Sequence, residues 1–307
     1  MESILKWGID VISAIQVIHN PILDNIMYGI TLFGNFEFFL IIIPLVYWCI
    51  DEEQGMIIGI VLILNGFINN FFKALWMQPR PFEMKASLKL AHASGYGLPS
   101  GHSQGSVVFW GIIGKWIGKK TGLILAITIP ILIGFSRIYL GVHFPTDVFV
   151  GWAFGIIILL GYFFLWQKIY TLVSHLPFYT KAALIVLITV AMYLANPTAI
   201  VSAAVFGSMV PGYMLMKHYS HFDARGPINN RILRFIVGIS ITAFLYIGLK
   251  YILPTKGQEF YALTKFIRYG LIGLWISFGA PFIFIKTGLA QEKTDPLGEK
   301  ELEEITE

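Results

Sequence analysis

A serine, an arginine, a histidine and an aspartate stand at fixed spacing near the middle of the chain. Ser136 and Arg137 are adjacent, five residues separate Arg137 from His143, and three residues separate His143 from Asp147. A His and an Asp four positions apart can hydrogen-bond if Pro145 opens a helix at its first turn. The carboxylate then keeps one ring nitrogen protonated and leaves the other lone pair free to attack. Arg137 adds a permanent cation whose forked donors suit phosphate oxygens. The alternative interpretation of this motif is an interfacial arginine beside a structural His–Asp pair.

A second polar cluster, Pro99-Ser100-Gly101-His102-Ser103, precedes an apolar stretch that is typical of a helix. The first turn of a helix has N–H groups without intrahelical acceptors, and the helix dipole favours an anion there. This position fits a phosphate. A histidine side chain has a reference pKa of about 6.5, so His102 is able to donate a proton to a leaving group at neutral pH. The alternative is an ordinary serine N-cap beside an interfacial histidine.

The third cluster consists of Lys73 and, after six further residues, Arg80-Pro81. Asn65, Asn69 and Lys73 recur every four residues and therefore share one stripe of a helix. This stripe must face protein or water, because lipid offers polar groups no hydrogen-bond partners. The alternative is that Lys73 extends to the lipid headgroups and that Arg80 is simply a positive loop residue.

The composition is typical of a membrane protein. Of the 307 residues, 56% are hydrophobic and 13% are charged, against roughly 50% and 25% in soluble domains. The basic residues are too dispersed to form a face that follows nucleic-acid phosphates, so no nucleic-acid partner is predicted. The single cysteine, Cys49, excludes an intramolecular disulfide and a cysteine-based zinc cluster. Asp147 is the only acid in the three clusters, so neither a metal nor another cofactor is predicted.

Apolar stretches along the chain predict an all-α fold, a polytopic integral membrane helix bundle of about nine transmembrane helices. The predicted spans are approximately Phe36–Cys49, Gly55–Trp76, Ser103–Ile117, Gly122–Phe135, Asp147–Trp166, Ala182–Ala195, Ala199–Met216, Ile232–Leu253 and Leu263–Ile285. The predicted regions are an interfacial N-terminal segment (1–34), a catalytic membrane core (35–166), additional transmembrane helices (167–290) and an acidic disordered tail (291–307).

The distribution of lysine and arginine predicts the orientation of these spans. Basic residues collect in the loops after the third, fifth and seventh spans, which places those loops on the cytoplasmic side. All three polar clusters then face the outer side of the cell membrane. Residues Phe82–Leu98 are expected to cover the clusters, and Met84, Leu88 and Ala91 have the spacing of a short interfacial helix.

Together the three clusters resemble the signature of the type-2 phosphatidic acid phosphatase superfamily, the lipid phosphate phosphatases. The matching features are the Lys and Arg-Pro pair, the Pro-Ser-Gly-His, and the Ser-Arg followed by His and Asp. The resemblance covers about residues 20–165, and the four spans that follow are similar to those of the longer subgroup containing sphingosine-1-phosphate phosphatases. It implies a phosphoryl group held by Lys73, Arg80, Ser100, Gly101 and Arg137, a leaving group protonated by His102, and a nucleophile, His143, oriented by Asp147.

The resulting functional hypothesis is a metal-independent membrane phosphatase that works through a phosphohistidine. Its expected partners are the membrane and a lipid phosphomonoester or diphosphate, with polyprenyl diphosphate slightly favoured. One alternative is a lipid phosphotransferase, since the donor chemistry is identical. Another is a lipid-phosphate binder or transporter, although a carrier does not need a His–Asp pair with a second histidine opposite.

Overall fold

The computed structural model describes residues 2–255 and 257–293, and within them the chain forms helices and no β-strand. The all-α prediction is therefore confirmed. The helices are α1 (Glu2–Ile15), α2 (Pro21–Leu32), α3 (Phe36–Cys49), α4 (Glu52–Trp76), α5 (Pro81–Met84), α6 (Gly101–Ile117), α7 (Lys119–Tyr139), α8 (Pro145–Ser174), α9 (Phe178–Ala195), α10 (Ile200–Tyr219), α11 (Ile228–Ala243), α12 (Leu249–Ile252), α13 (Tyr261–Leu274) and α14 (Ala280–Lys286). Five-residue π-helical segments join α11 to α12 and α13 to α14.

The predicted count of nine spans is too high. By length and composition, seven helices of the described chain can cross a membrane, or up to eight if α2 and α3, bent by 46° at their junction, form one broken span. The remaining predicted span, Ser103–Ile117, is helix α6, which has 17 residues. At about 1.5 Å per residue it reaches about 26 Å, less than the roughly 30 Å of hydrocarbon. Ten of its residues are buried, so α6 is mainly a core helix surrounded by protein.

The chain divides into two compact units. Unit 1 comprises Met1–Leu40 and Ile60–Ala203, and unit 2 comprises Ile41–Gly59 and Ala204–Glu307. All the residues of the three polar clusters belong to unit 1. The predicted boundaries at 34/35, 166/167 and 290/291 do not coincide with this division, which follows spatial contacts and not chain order.

Within unit 2, both charged and aromatic side chains make polar contacts between distant parts of the chain. Glu52 accepts a hydrogen bond from the backbone N–H of Ala224 at 3.1 Å and forms an ion pair with Lys293. The Tyr47 hydroxyl donates to the carbonyl of Ser277 at 2.9 Å. Lys293 belongs to the predicted acidic tail; residues 294–307 of that tail lie outside the described residues.

In unit 1, four helices bring one end each to the same region. Helix α4 ends there, α6 begins, α7 ends and α8 begins. The backbone N–H of Ser100 donates to the carbonyl of Asp147 at 2.9 Å and joins the first turns of α6 and α8. Two glycines of α8 allow this close packing, because a Cβ on Gly151 would lie 2.7 Å from the Ser100 carbonyl oxygen and one on Gly155 would lie 2.7 Å from Val107.

A ladder of buried amides joins α4 to α6, and it confirms that the stripe through Asn65 and Asn69 faces protein. Asn69 Nδ2 donates to Gln104 Oε1 at 2.8 Å, and Gln104 Nε2 donates in turn to Asn65 Oδ1 at 3.0 Å. These three side chains are at most 6% exposed. Because each buried amide has a partner, the ladder fixes the register of the two helices without leaving polar groups unsatisfied.

The predicted interfacial helix through Met84, Leu88 and Ala91 is wrong. Only the turn Pro81–Met84 and a 3₁₀ turn, Ala86–Leu88, are helical, and the chain then runs irregularly to α6. The backbone carbonyls of this segment accept hydrogen bonds from side chains elsewhere in unit 1, including Gln16 on Leu88. Contacts distant in sequence therefore position this segment and override the local spacing.

Gly141 lies in the turn between α7 and α8 and has a left-handed backbone, with φ of +67°. A Cβ there would also overlap the carbonyl oxygen of Leu88. We expect Gly141→Ala to destabilise the protein by more than about 2 kcal/mol, since left-handed backbone alone costs an alanine roughly 1–2 kcal/mol. Thermal unfolding in detergent measures the effect. Gly161→Ala in α8 is the control, because a Cβ there meets nothing within 4 Å; equal melting temperatures for the two variants would contradict the interpretation.

Candidate active site

His143 and Asp147 form a buried hydrogen-bonded pair at the start of α8. His143 Nδ1 lies 3.1 Å from Asp147 Oδ2, and their side chains are 2% and 0% exposed. Pro145 is the first residue of the helix, so His143 precedes it and Asp147 lies in its first turn, as the spacing predicted. The same carboxylate oxygen accepts the backbone N–H of Phe144 at 3.0 Å, and Oδ1 accepts Gln78 Nε2 at 2.6 Å. Both carboxylate oxygens are therefore satisfied, and Nδ1 of His143 carries a proton.

The other ring nitrogen of His143 faces a guanidinium. Nε2 lies 3.2 Å from Arg80 Nη1, which also donates to the carbonyl of Val142 at 2.7 Å. Because an arginine nitrogen can only donate, Nε2 is the acceptor and has its lone pair available. The other two arginine nitrogens donate to the carbonyls of Gly95, at 2.7 Å, and Ser94, at 2.8 Å. These contacts hold Arg80 beside the nitrogen that could attack phosphorus.

His143 is neutral at pH 7 in this environment. Burial is the main reason that its pKa lies well below the usual value of 6.5, and the positive charges of Arg80, Lys73 and Arg137 lower it further. A protonated histidine could not act as a nucleophile, so this shift keeps the lone pair available in mildly acidic solution. The unfolded chain would bind this proton below pH 6.5, so the same shift makes folding less favourable as the pH falls.

Arg137, at the end of α7, has an unsatisfied donor. Its Nη1 donates to the hydroxyl of Thr31 at 2.7 Å, and its side chain is 5% exposed. Its Nε is buried without a hydrogen-bond partner among the described residues. A buried unpaired guanidinium N–H is costly unless an anion completes it. This orphan donor is the clearest sign in unit 1 that a phosphate or similar anion binds here.

Ser100 and Gly101 begin helix α6. Ser100 is fully buried and is the N-cap residue, its hydroxyl oxygen accepting the Ser103 backbone N–H at 3.4 Å. Gly101 packs against α4, where a Cβ would lie 3.1 Å from Asn69 Oδ1. As in any first helical turn, the N–H groups of Gly101 and His102 have no intrahelical acceptor, and they lie at the positive end of the helix dipole.

The ring of His102 is positioned by a residue outside the three clusters. Its Nε2 lies 2.6 Å from the side-chain oxygen of Asn35, at the junction of α2 and α3. Gly34 is also in contact with the ring, since a Cβ there would lie 3.2 Å from His102 Cδ2. An amide oxygen only accepts, so Nε2 carries a proton and Nδ1 is the nitrogen left to exchange one with a substrate.

Lys73, in the last turn of α4, donates to the carbonyls of Tyr96 and Gly97 at 2.6 and 3.0 Å. An ammonium group has three donors, so one remains for a ligand. Lys73 is therefore anchored to the segment that precedes α6 and does not extend freely to lipid headgroups.

Thus the structure brings all eight residues singled out in the sequence to one end of unit 1. It adds three that sequence reasoning missed: Gln78 on Asp147, Thr31 on Arg137 and Asn35 on His102. Gln78 stands between Lys73 and Arg80, so its position within the third cluster was an available signal. Thr31 and Asn35 are more than 65 residues from their partners and belong to no local pattern.

Comparison with known proteins identifies the family. Residues 54–171 match the model of the PAP2 superfamily. Phosphatidylglycerophosphatase B of Bacillus subtilis is 30% identical over 158 residues, which cover 47% of this chain and 76% of that protein. The chain belongs to the PAP2 superfamily. It is thereby a membrane phosphatase of this group, as the three clusters indicated.

The second half of the chain has a match of its own. Residues 199–292 match the model described as PAP2 superfamily phosphatase, transmembrane extension.

Undecaprenyl-diphosphatase BcrC of Bacillus subtilis is 32% identical over 46% of this chain and 73% of its own length. Sphingosine-1-phosphate phosphatase 1 of Rattus norvegicus is 30% identical over 42% of this chain, but the match spans only 32% of that protein.

The described residues contain no group of three or more His, Cys, Asp or Glu side chains arranged to hold a metal ion. The donors around His143 are cationic side chains and helix amides, which are groups that suit an anion.

Proposed function

We propose that this PAP2 protein hydrolyses a lipid phosphate through a phosphohistidine at His143. The observation that carries the proposal is the state of this histidine, which is neutral, donates through Nδ1 to Asp147 and directs Nε2 at Arg80. A nucleophile held by a carboxylate on one side and next to a phosphate-binding cation on the other is suited to phosphoryl transfer.

In the first step the Nε2 lone pair of His143 forms a bond to phosphorus. The bond from phosphorus to the lipid oxygen breaks, and that oxygen keeps the electron pair and takes the Nδ1 proton of His102, whose doubly protonated form is favoured by the negative charge of the bound phosphate. In the second step water attacks phosphorus and gives its proton to His102, the phosphorus–nitrogen bond breaks, and inorganic phosphate leaves. Asp147 stabilises the positive charge that develops on the imidazole ring while the intermediate exists.

The cations take the place that a metal ion has in many phosphatases. Arg80, Arg137 and Lys73 surround His143, and the first turn of α6 adds backbone N–H groups. Such fixed donors stabilise the charge on the equatorial oxygens of the transition state. The unpaired Nε of Arg137 supports this role, because the bound phosphoryl group would provide the acceptor that it lacks.

For the substrate, we propose an amphipathic lipid with a terminal phosphate, and we favour a polyprenyl diphosphate over phosphatidylglycerophosphate, phosphatidate and sphingoid phosphates. One similar protein is named an undecaprenyl-diphosphatase, which supports a polyprenyl diphosphate. Another is named a phosphatidylglycerophosphatase, which supports phosphatidylglycerophosphate. The preference for the diphosphate rests on the orientation inferred from the basic loops, because an outward-facing site meets spent polyprenyl carriers.

We further propose that the site opens to the outer side of the cell membrane. Lys115, Lys119 and Lys120 lie at the opposite end of unit 1, around the junction of α6 and α7. Basic loops remain on the cytoplasmic side, so the ends of the helices that carry His143 would be outside.

The hydrolysis proposal predicts phosphate release by purified protein in detergent. Release should persist in excess chelator, vanadate should inhibit it by forming a five-coordinate analogue, and His143→Ala should abolish both turnover and covalent labelling by ³²P-labelled lipid. Loss of activity in chelator with recovery on adding magnesium would contradict the proposed site. Transfer of phosphate to an added acceptor lipid in place of water would establish the phosphotransferase, and binding without turnover would establish the carrier.

The same assay ranks substrates. We expect kcat/KM for undecaprenyl diphosphate to exceed the values for phosphatidate and sphingosine-1-phosphate. A tenfold preference for either monoester would reverse the ranking and leave the mechanism intact.

The acid role of His102 predicts a dependence on the leaving group. His102→Ala should slow release of a lipid alkoxide by about 10²–10⁴-fold, the usual contribution of a general acid, and should slow release of nitrophenolate much less. Asn35→Ala should show the same selectivity to a smaller degree, because it frees the ring that it now positions. Asn70→Ala is the control, since that exposed amide bonds only to Gly66 of its own helix. Equal losses on both substrates in His102→Ala would rule out the acid role.

The proposed orientation predicts which positions react from outside an intact cell. In a Cys49→Ser background, a cysteine replacing the exposed Ser87 should react with an impermeant thiol reagent, and one replacing the exposed Lys120 should not. Both should react after the membrane is permeabilised. The opposite pattern would place the site on the cytoplasmic side.

A further inference from the structure

An apolar groove runs along unit 1 between α7 and α8, with α6 as its floor. It encloses about 630 Å³. Its walls include Ile127 and Ile131 on α7 and Ile156 on α8, all of which are about half exposed. Helices α7 and α8 are both long and apolar enough to span a membrane, so the groove faces the hydrocarbon of the bilayer.

Close contacts of α6 with each neighbour create the groove. A Cβ on Gly114 would lie 2.5 Å from the Gly122 carbonyl oxygen, so α6 and α7 touch through backbone. On the other side, Gly111 of α6 is covered by the side chain of Leu159 in α8. Because α6 has no large side chain at these points, α7 and α8 stand over a shallow floor and leave a channel between them.

The groove has the length of one leaflet. On α7 it extends from Lys119 to Ile131, and on α8 from Trp152 to Phe163. At about 1.5 Å per residue these stretches measure about 17 Å, close to half of the roughly 30 Å hydrocarbon core.

One end of the groove is closed toward the proposed catalytic site. Trp152 Nε1 donates to the carbonyl of Pro130 at 3.2 Å and bridges α8 to α7 there. The indole also covers Gly134, and Val148, one turn closer to Asp147, packs beside it. The groove is therefore separate from the group of residues around His143.

The other end of the groove is basic. Lys115 and Lys119 line it, Lys120 follows, and the Lys115 ammonium lies 4.3 Å from the centre of the Phe163 ring. Residues 84–146 and 148–222 contain no Asp or Glu. Within the described chain, no carboxylate forms an ion pair with Lys115 or Lys119. The lysines thus present uncompensated positive charge at the mouth of an apolar channel.

We propose that this groove is a binding site for an anionic glycerophospholipid of the leaflet opposite the catalytic residues. An acyl chain lies along Ile127 and Ile156, and the phosphate of the headgroup lies against Lys115 and Lys119. Apolar length, lipid exposure and basic charge at the headgroup end together match this class of ligand. A zwitterionic lipid would fill the channel but would gain little from the lysines, whereas an anionic headgroup is attracted to both of them.

The test is lipid binding to purified full-length protein, measured by native mass spectrometry with phosphatidylglycerol and phosphatidylcholine of identical acyl chains. Excess inorganic phosphate is added to compete for the catalytic cations. We expect the wild type to bind phosphatidylglycerol at least tenfold more tightly than phosphatidylcholine. The double variant Lys115→Gln/Lys119→Gln should lose this preference.

Two matched variants complete the design. Lys168→Gln/Lys181→Gln removes two lysines that do not line the groove and should leave the preference intact. Leu123→Trp, at an exposed lining position, should fill the channel and weaken binding of both lipids. Equal affinities for the two lipids in the wild type would overturn the proposal. A second outcome would also overturn it: lipid binding that is abolished by Arg80→Ala but unchanged in the lysine variants. In that case the lipid would occupy the catalytic site.

Discussion

Burying positive charge is the constraint on which the rest of this site depends. The candidate site keeps several cationic side chains largely out of water, and a buried cation needs acceptors. Here backbone carbonyls provide them. Arg80 and Lys73 together take the carbonyls of residues 94–97 and of Val142. The chain before α6 is irregular because its carbonyls point at these two side chains. Neutral acceptors hold the cations without cancelling their charge, which would not be true of carboxylates.

The single carboxylate of the three clusters is reserved for a different purpose. Asp147 accepts His143, Gln78 and the Phe144 N–H, so its charge is spread over three donors and directed at the histidine. The separation of tasks explains why the cluster has one acid among several bases. A second carboxylate on the guanidinium of Arg80 or Arg137 would compete with phosphate for the same donors. Glu83, which is close to Arg80, accepts its backbone N–H at 3.0 Å instead.

The sequence predicted the His143–Asp147 contact and the start of α6 because both follow rules of local geometry. Spacing of four residues and a proline at the first helical position dictated the His143–Asp147 contact, and a serine before an apolar stretch marked the start of α6. The partners Thr31 and Asn35 could not be found in this way, since a lone Thr or Asn has no period or motif. The helix expected through Leu88 failed for a related reason, because spacing describes one chain segment and ignores the donors brought to it by folding. The span count failed at α6, where burial in protein removes the requirement for membrane length.

The contacts made near the junction of α2 and α3 determine how much of the chain the candidate site needs. The family match begins at residue 54, yet Thr31 bonds to Arg137 and Asn35 to His102, and Gln16 ties Leu88 to the carbonyl of Tyr139. The smallest segment that keeps both contacts to Arg137 and His102 therefore starts at or before Thr31. Residues ahead of the matched domain thus position side chains of the candidate site, and substitutions at Thr31 or Asn35 are to be interpreted as changes to that site.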